Sequence, residues 1–114
     1  MVGDPMTSVL VFGASGYIGS NLVPRLIEAG HEVRATSRNA DALRGRGWDG
    51  VDLVSADALD PTTLTEALRG IEVAYYLVHS LQTRDFRRVD LELAGSFGRA
   101  AAAAGVGRII YVGG

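Results

Sequence analysis

The 114-residue chain contains no cysteine, which excludes disulfides, thiolate metal sites and a cysteine nucleophile together. Lysine is absent too: all 11 basic residues are arginines, set against 13 acidic residues for a net charge of -2. The arginines are scattered, so the sequence carries no basic footprint for a nucleic acid. Arg84, Arg87 and Arg88 come nearest to a patch and have the spacing of a solvated helix face. No segment reaches the ~20 apolar residues of a membrane span, and residues 1–7 lack the basic stretch and apolar run of a secretory signal. The expectation is a soluble, cytoplasmic protein with no membrane and no nucleic-acid partner. Its length suffices for one domain with a core and leaves little room for a second.

What is present begins with the apolar run Val9-Leu10-Val11-Phe12, which opens into Gly13-Ala14-Ser15-Gly16-Tyr17-Ile18-Gly19. A continuous run of this kind reads as a strand buried on both faces of a parallel sheet, and Ile18, Leu22, Leu26 and Ile27 then recur at helical spacing. The glycines therefore stand where a strand becomes a helix. Gly13 suits the tight turn, Gly16 lets a pyrophosphate approach the backbone, and Gly19 lets helix and strand pack closely. The helix N-terminus adds free N–H groups and a partial positive charge facing a phosphate. A glycine turn with only a structural purpose is the competing reading. The strand-turn-helix context favours a dinucleotide site, to which Ser15, Tyr17 and Ile18 contribute the rest of the turn and the first helical residues.

Strand and helix signals alternate along the remainder. The pattern predicts strands at 8–12, 32–36, 51–55, 72–78 and 108–112, with helices at 17–29, about 40–44, 61–69 and about 86–104. Gly30, Gly70 and Gly105 stop three of these helices. Pro24 falls inside the first of them, which the apolar spacing nevertheless carries through as one helix. Asp60 reads as an N-cap before Pro61, and Thr63 with Glu66 has capping-box spacing. With right-handed crossovers the fold is α/β: a Rossmann-type doubly wound parallel sheet of five strands in order 3-2-1-4-5, helices on both faces. Residues 1–7 read as a loose leader and 8–114 as the NAD(P)-binding domain. Its fifth strand is an apolar edge, through which self-association is expected.

An NAD-preferring site carries an acidic residue at the end of the second strand, about 20 residues past the turn, to bind the ribose 2′-OH. Here Thr36, Ser37 and Arg38 stand there instead. A guanidinium pairs bidentately with a 2′-phosphate that a carboxylate would repel, so NADP(H) is favoured over NAD(H). A plain surface arginine is the alternative for Arg38.

The G-x-x-G-x-x-G spacing, with Gly13-Ala14-Ser15-Gly16-Tyr17-Ile18-Gly19 as its core, resembles the short-chain dehydrogenase/reductase superfamily. Within it the resemblance is to the extended and atypical branches, including the NmrA-like NAD(P)-binding proteins. It runs from Ser8 to Gly114, through the stretches 31–38, 73–80 and 104–114 in order. The resemblance implies that Asp57 accepts from the adenine amino group and that the Ala58 N–H reaches the ring; a turn-former is the alternative for Asp57. It also implies that Val78-His79-Ser80 passes beside the two riboses. His79 reads as a cofactor-lining or rim residue, not an acid, base or metal ligand, and His31 reads as structural. Asp90 matches an asparagine that supports the site in the extended branch, and the substitution loses the donor. A solvated helix carboxylate serves equally well for it.

The superfamily usually follows its fifth strand with a catalytic serine and a Tyr-x-x-x-Lys, the lysine lowering the tyrosine pKa. This chain has no lysine, its tyrosines at 17, 75, 76 and 111 lie in the turn and strands, and Gly113-Gly114 stand where Ser-Ser is common. No catalytic residue is assigned. Members of the family continue through two more strands, so the chain is expected to be the N-terminal, cofactor-binding part of an oxidoreductase, epimerase or dehydratase. The alternative is a non-catalytic NADP(H) sensor or assembly protein of the NmrA-like type.

Overall fold

The computed structural model describes residues 7–77 and 84–112, the side chains of 84–90 excepted. Elements alternate strictly: β1 (Ser8–Phe12), α1 (Tyr17–Glu28), β2 (Glu32–Ser37), α2 (Asp41–Arg44), β3 (Asp52–Ser55), α3 (Pro61–Leu68), β4 (Val73–Tyr76), α4 (Arg84–Ala104) and β5 (Arg108–Tyr111). All four strand pairings are parallel, and the sheet order is β3-β2-β1-β4-β5, as the alternating pattern predicts.

The two-residue period of β1 divides the core into two layers. Leu10 and Phe12 face Leu64 and Leu68 of α3, Tyr76 of β4 and Phe97 of α4. Val9 and Val11 belong to the opposite layer, with Val23 and Leu26 of α1 and Leu43 of α2. Every residue of β1 from Val9 to Phe12 is buried, which is why this strand needs an unbroken apolar run. The first layer is aromatic at its centre: the Phe97 ring lies 4.9 Å from Phe12 and 4.7 Å from Tyr76 between centroids.

Helix ends follow their local chemistry. The N–H of Gly30 donates to the Ile27 carbonyl (3.0 Å) and that of His31 to the Leu26 carbonyl (3.2 Å), the double closure of a glycine-ended helix. Pro24 lies within α1 on its exposed side and does not divide it. Asp60 caps α3 by accepting from the Thr62 N–H at 3.1 Å, with Pro61 in the first turn.

Several boundaries differ from the sequence pattern. α1 ends at Glu28 with Ala29 as its cap, and α2 begins at Asp41 with Ala40 as its cap. β2 runs on to Ser37 because that residue pairs with Ser55 of the short neighbour β3, which itself starts only at Asp52. β4 is confined to Val73–Tyr76 by its register against β1 and β5. β5 stops at Tyr111, and α4 starts at Arg84. Thr63 and Glu66 do not form a capping box. With Asp60 as the cap, the Thr63 hydroxyl turns back to the Asp57 and Asp60 carbonyls, and Glu66 pairs with Arg69 at 3.1 Å.

Candidate functional site

The C-terminal ends of β1, β2 and β3 lie side by side, and the segments leaving them build one rim. Gly13 takes φ 88°, a left-handed conformation that side-chain-bearing residues rarely adopt. Its N–H and that of Ala14 both donate to the Thr36 carbonyl, at 3.1 and 2.7 Å, so the turn after β1 is fastened to the end of β2. Thr36 is fully buried beneath it.

The next two glycines serve different ends. A Cβ on Gly19 would stand 2.5 Å from the Ala14 carbonyl oxygen and 2.6 Å from its Cα, so the first turn of α1 can lie against the turn that follows β1 only without a side chain. Gly16 has an ordinary extended backbone (φ -82°, ψ -176°), and a Cβ there would meet nothing within 4 Å. No contact inside the described protein requires glycine at 16. It is the N-cap of α1 and provides no side-chain cap, and the first turn holds no acidic residue. The N–H groups of Tyr17, Ile18 and Gly19 accordingly have no acceptor among the described residues. Ser15, Gly16, Tyr17 and Ile18 are exposed and Gly19 is buried. An anion is electrostatically favoured at such an end.

Ser37 and Arg38 leave β2 next to this turn. Ser37 is buried, and its hydroxyl accepts from the Asn39 N–H (3.0 Å) while donating to the Asn39 carbonyl (2.7 Å). It shapes the exit of the chain. Arg38 is exposed, with no hydrogen bond or ion pair among the described residues. At the end of β3 the Ala56 N–H donates to the Ser37 carbonyl at 3.0 Å. Asp57 follows, half-buried, with Oδ1 accepting from the Leu59 N–H at 2.9 Å and its own N–H donating to the Thr63 hydroxyl at 3.0 Å. Its other carboxylate oxygen has no partner among the described residues, so forming the turn leaves an acceptor available. Ala58 is buried beside it. Val78, His79 and Ser80, like Gly113 and Gly114, lie outside the described residues, and so does the side chain of Asp90. His31 is at the opposite end of the sheet, before β2.

Sequence reasoning missed Arg46. Its Nη2 donates to the Ser15 carbonyl at 3.0 Å, its Nη1 to the Ser20 hydroxyl, and its guanidinium lies 5.7 Å from the centre of the Trp48 ring. The only local signal was a glycine-flanked arginine in a loop. Nothing periodic connects it to a turn 31 residues earlier. Among the described residues no group of three or more His, Cys, Asp or Glu side chains could hold a metal, and no helix is long and apolar enough to cross a membrane.

Comparison with known proteins agrees with the fold. The sequence model of the NmrA-like family matches residues 5–113. The chain is 30% identical over 109 residues to sterol demethylase protein B of Methylococcus capsulatus, covering 91% of this chain and 33% of that protein. Against the 3-beta-hydroxysteroid dehydrogenase of Mycolicibacterium neoaurum the identity is 29% over 126 residues, covering 96% of this chain and 34% of the enzyme. The chain thus spans about a third of the length of both relatives. The triphenylmethane reductase of Citrobacter sp., solved in complex with NADP(H), superposes with a TM-score of 0.80 at 24% identity, over 92% of this chain and 37% of that one.

Proposed function

Because this chain belongs to the NmrA-like family, within the NAD(P)-binding proteins of short-chain dehydrogenase/reductase fold, we propose that it binds a nicotinamide dinucleotide, NADP(H) in preference to NAD(H). The cofactor's pyrophosphate lies on residues 13–19, against the free N–H groups at the start of α1. The 2′-phosphate of its adenosine pairs with Arg38. Its adenine is read by the carboxylate oxygen of Asp57 that has no partner among the described residues and by the Ala58 backbone. Residues 8–114 are the cofactor-binding part of an oxidoreductase or epimerase. The open edge of β5, with Tyr111 exposed, is where a further strand or a second copy pairs.

The observation that carries this reading is Gly16. Among the described residues it has neither a backbone conformation nor a neighbour that demands glycine, yet it caps a helix whose first N–H groups have no acceptor there. A phosphate supplies the missing reason, since a Cβ would stand between the anion and the backbone donors. Bound there, the nicotinamide would give or take hydride at a carbonyl or alcohol carbon. The chain's own part is to hold and orient the dinucleotide, and no acid or base within it is assigned a step.

Calorimetric titration of the purified protein with NADPH and NADH tests this, together with Arg38→Asp. The wild type should bind NADPH more tightly, and the variant should lose NADPH affinity by roughly ten- to a hundredfold while keeping its NADH affinity. Equal losses for both cofactors would remove the 2′-phosphate role of Arg38. The NmrA-like alternative, a non-catalytic NADP(H) sensor or assembly protein, predicts the same binding preference.

A further inference from the structure

We propose that Arg46 is a positioning residue that fastens the Ser15–Gly16 peptide from behind and so turns backbone N–H groups toward the pyrophosphate, a role that rests on the dinucleotide reading above. The need for a fastening comes from Gly16 itself. Clearance for a phosphate calls for glycine, and glycine is the residue least able to hold its own backbone. The Ser15 carbonyl and the Gly16 N–H are the two polar groups of one peptide. Among the described residues that N–H has no acceptor, and no backbone N–H donates to that carbonyl. The carbonyl has one partner there, Arg46, whose Nη2 donates to it at 3.0 Å.

Peptide geometry converts this contact into a direction. The Ser15–Gly16 peptide is trans, so its N–H points opposite to its carbonyl. With the carbonyl held toward Arg46, the Gly16 N–H faces the other side of the turn. The next peptide is held by the same guanidinium at one remove. The Gly16 carbonyl accepts from the Ser20 N–H at 3.0 Å and from the Ser20 hydroxyl at 2.9 Å, and that hydroxyl accepts from Arg46 Nη1. The Tyr17 N–H, opposite to the Gly16 carbonyl, is thereby turned outward from the start of α1. Trp48, half-buried in the layer of Val9 and Val11, supports the guanidinium 5.7 Å from its ring centre. Nη1 and Nη2 form the edge that grips an oxyanion bidentately, and here both are engaged on neutral acceptors of the turn. Arg46 thus acts through the backbone it orients. A turn fastened beforehand need not be ordered by its ligand, so losing the fastening is felt as affinity. The pyrophosphate is common to both dinucleotides, and the loss falls on both alike.

Wild type, Arg46→Gln, Arg46→Lys and Ser20→Ala are titrated calorimetrically with NADPH and NADH, with thermal melts checking that each protein is folded. Arg46→Gln is expected to weaken both dinucleotides by roughly tenfold and to leave the ratio of their affinities unchanged. Arg46→Lys keeps the charge without the fork and should lose as much, whereas Ser20→Ala removes one of the two anchors and should lose less, again equally for both. In amide NMR spectra of unliganded Arg46→Gln, the Gly16 and Tyr17 signals should move while those of β1 stay in place. A loss confined to NADPH, or affinity restored by Arg46→Lys, would mean a cation acting directly on a phosphate and would overturn the proposal. So would an Arg46→Gln protein that binds both dinucleotides as the wild type does, an outcome that leaves the dinucleotide reading standing. A folded wild type that bound neither dinucleotide would overturn that reading and this role with it.

Discussion

The glycine turn after β1 and the aromatic layer beneath β4 and α4 share a strand, yet they are held by opposite means. In the aromatic layer Phe12, Tyr76 and Phe97 fill one another's space, and the side chains themselves are the structure. In the turn the absence of side chains is the structure: Gly19 touches Ala14 backbone, Gly13 bends where other residues are strained, and Gly16 faces open space. One region is specified by volume and the other by clearance. Only the second leaves backbone donors without an acceptor among the described residues, which is what a ligand site there requires.

The largest expected break in this comparison is Phe97→Ala. Removing a fully buried ring should cost about 3–5 kcal/mol of stability, measured by urea unfolding, and the variant that remains folded should keep its dinucleotide affinity. Gly19→Ala comes next. Its methyl would overlap the Ala14 backbone, so about 1–3 kcal/mol of destabilisation is expected on the same assay, with weaker binding because the turn must shift. A Gly19→Ala protein as stable as the wild type would mean that the turn is looser than its geometry requires. Gly16 stands at the far end of this series. A side chain there meets no atom within 4 Å, so its expected cost in stability is only that of a poorer N-cap, at most about 1 kcal/mol, and its main expected effect falls on the ligand.

The same contrast explains what was legible in the sequence. β1 was readable because burial on both faces demands the unbroken run 9–12, and α3 because Asp60-Pro61 is a local start signal that acts within one turn. The turn itself was readable because glycine clearance leaves a fixed spacing. Strand ends were less so: β4 stops where its partners stop, and Ser37 joins β2 because Ser55 lies opposite it, facts that belong to the sheet and not to either segment. Within the candidate site, the position of Arg38 followed from counting residues past the turn. The fate of the Ser37 hydroxyl did not, because it depends on how the chain bends at Asn39. Arg46 was invisible for a related reason. Its partners Ser15 and Ser20 lie 31 and 26 residues away, and only the assembled α/β layers bring them within reach. Thr63 illustrates the reverse error, a valid local spacing overridden once Asp60 had taken the cap.

The most direct test of the central claim is therefore Gly16→Val, titrated calorimetrically with NADPH beside the wild type after melts of both proteins. The expected result is a folded protein whose melting temperature falls only by the loss of a favoured N-cap residue, with at least a roughly hundredfold loss of affinity, because the added side chain occupies the space of the pyrophosphate and blocks the N–H groups of α1. A Gly16→Val protein that stays folded and binds NADPH as tightly as the wild type would contradict this, since the open space above Gly16 would then hold no phosphate.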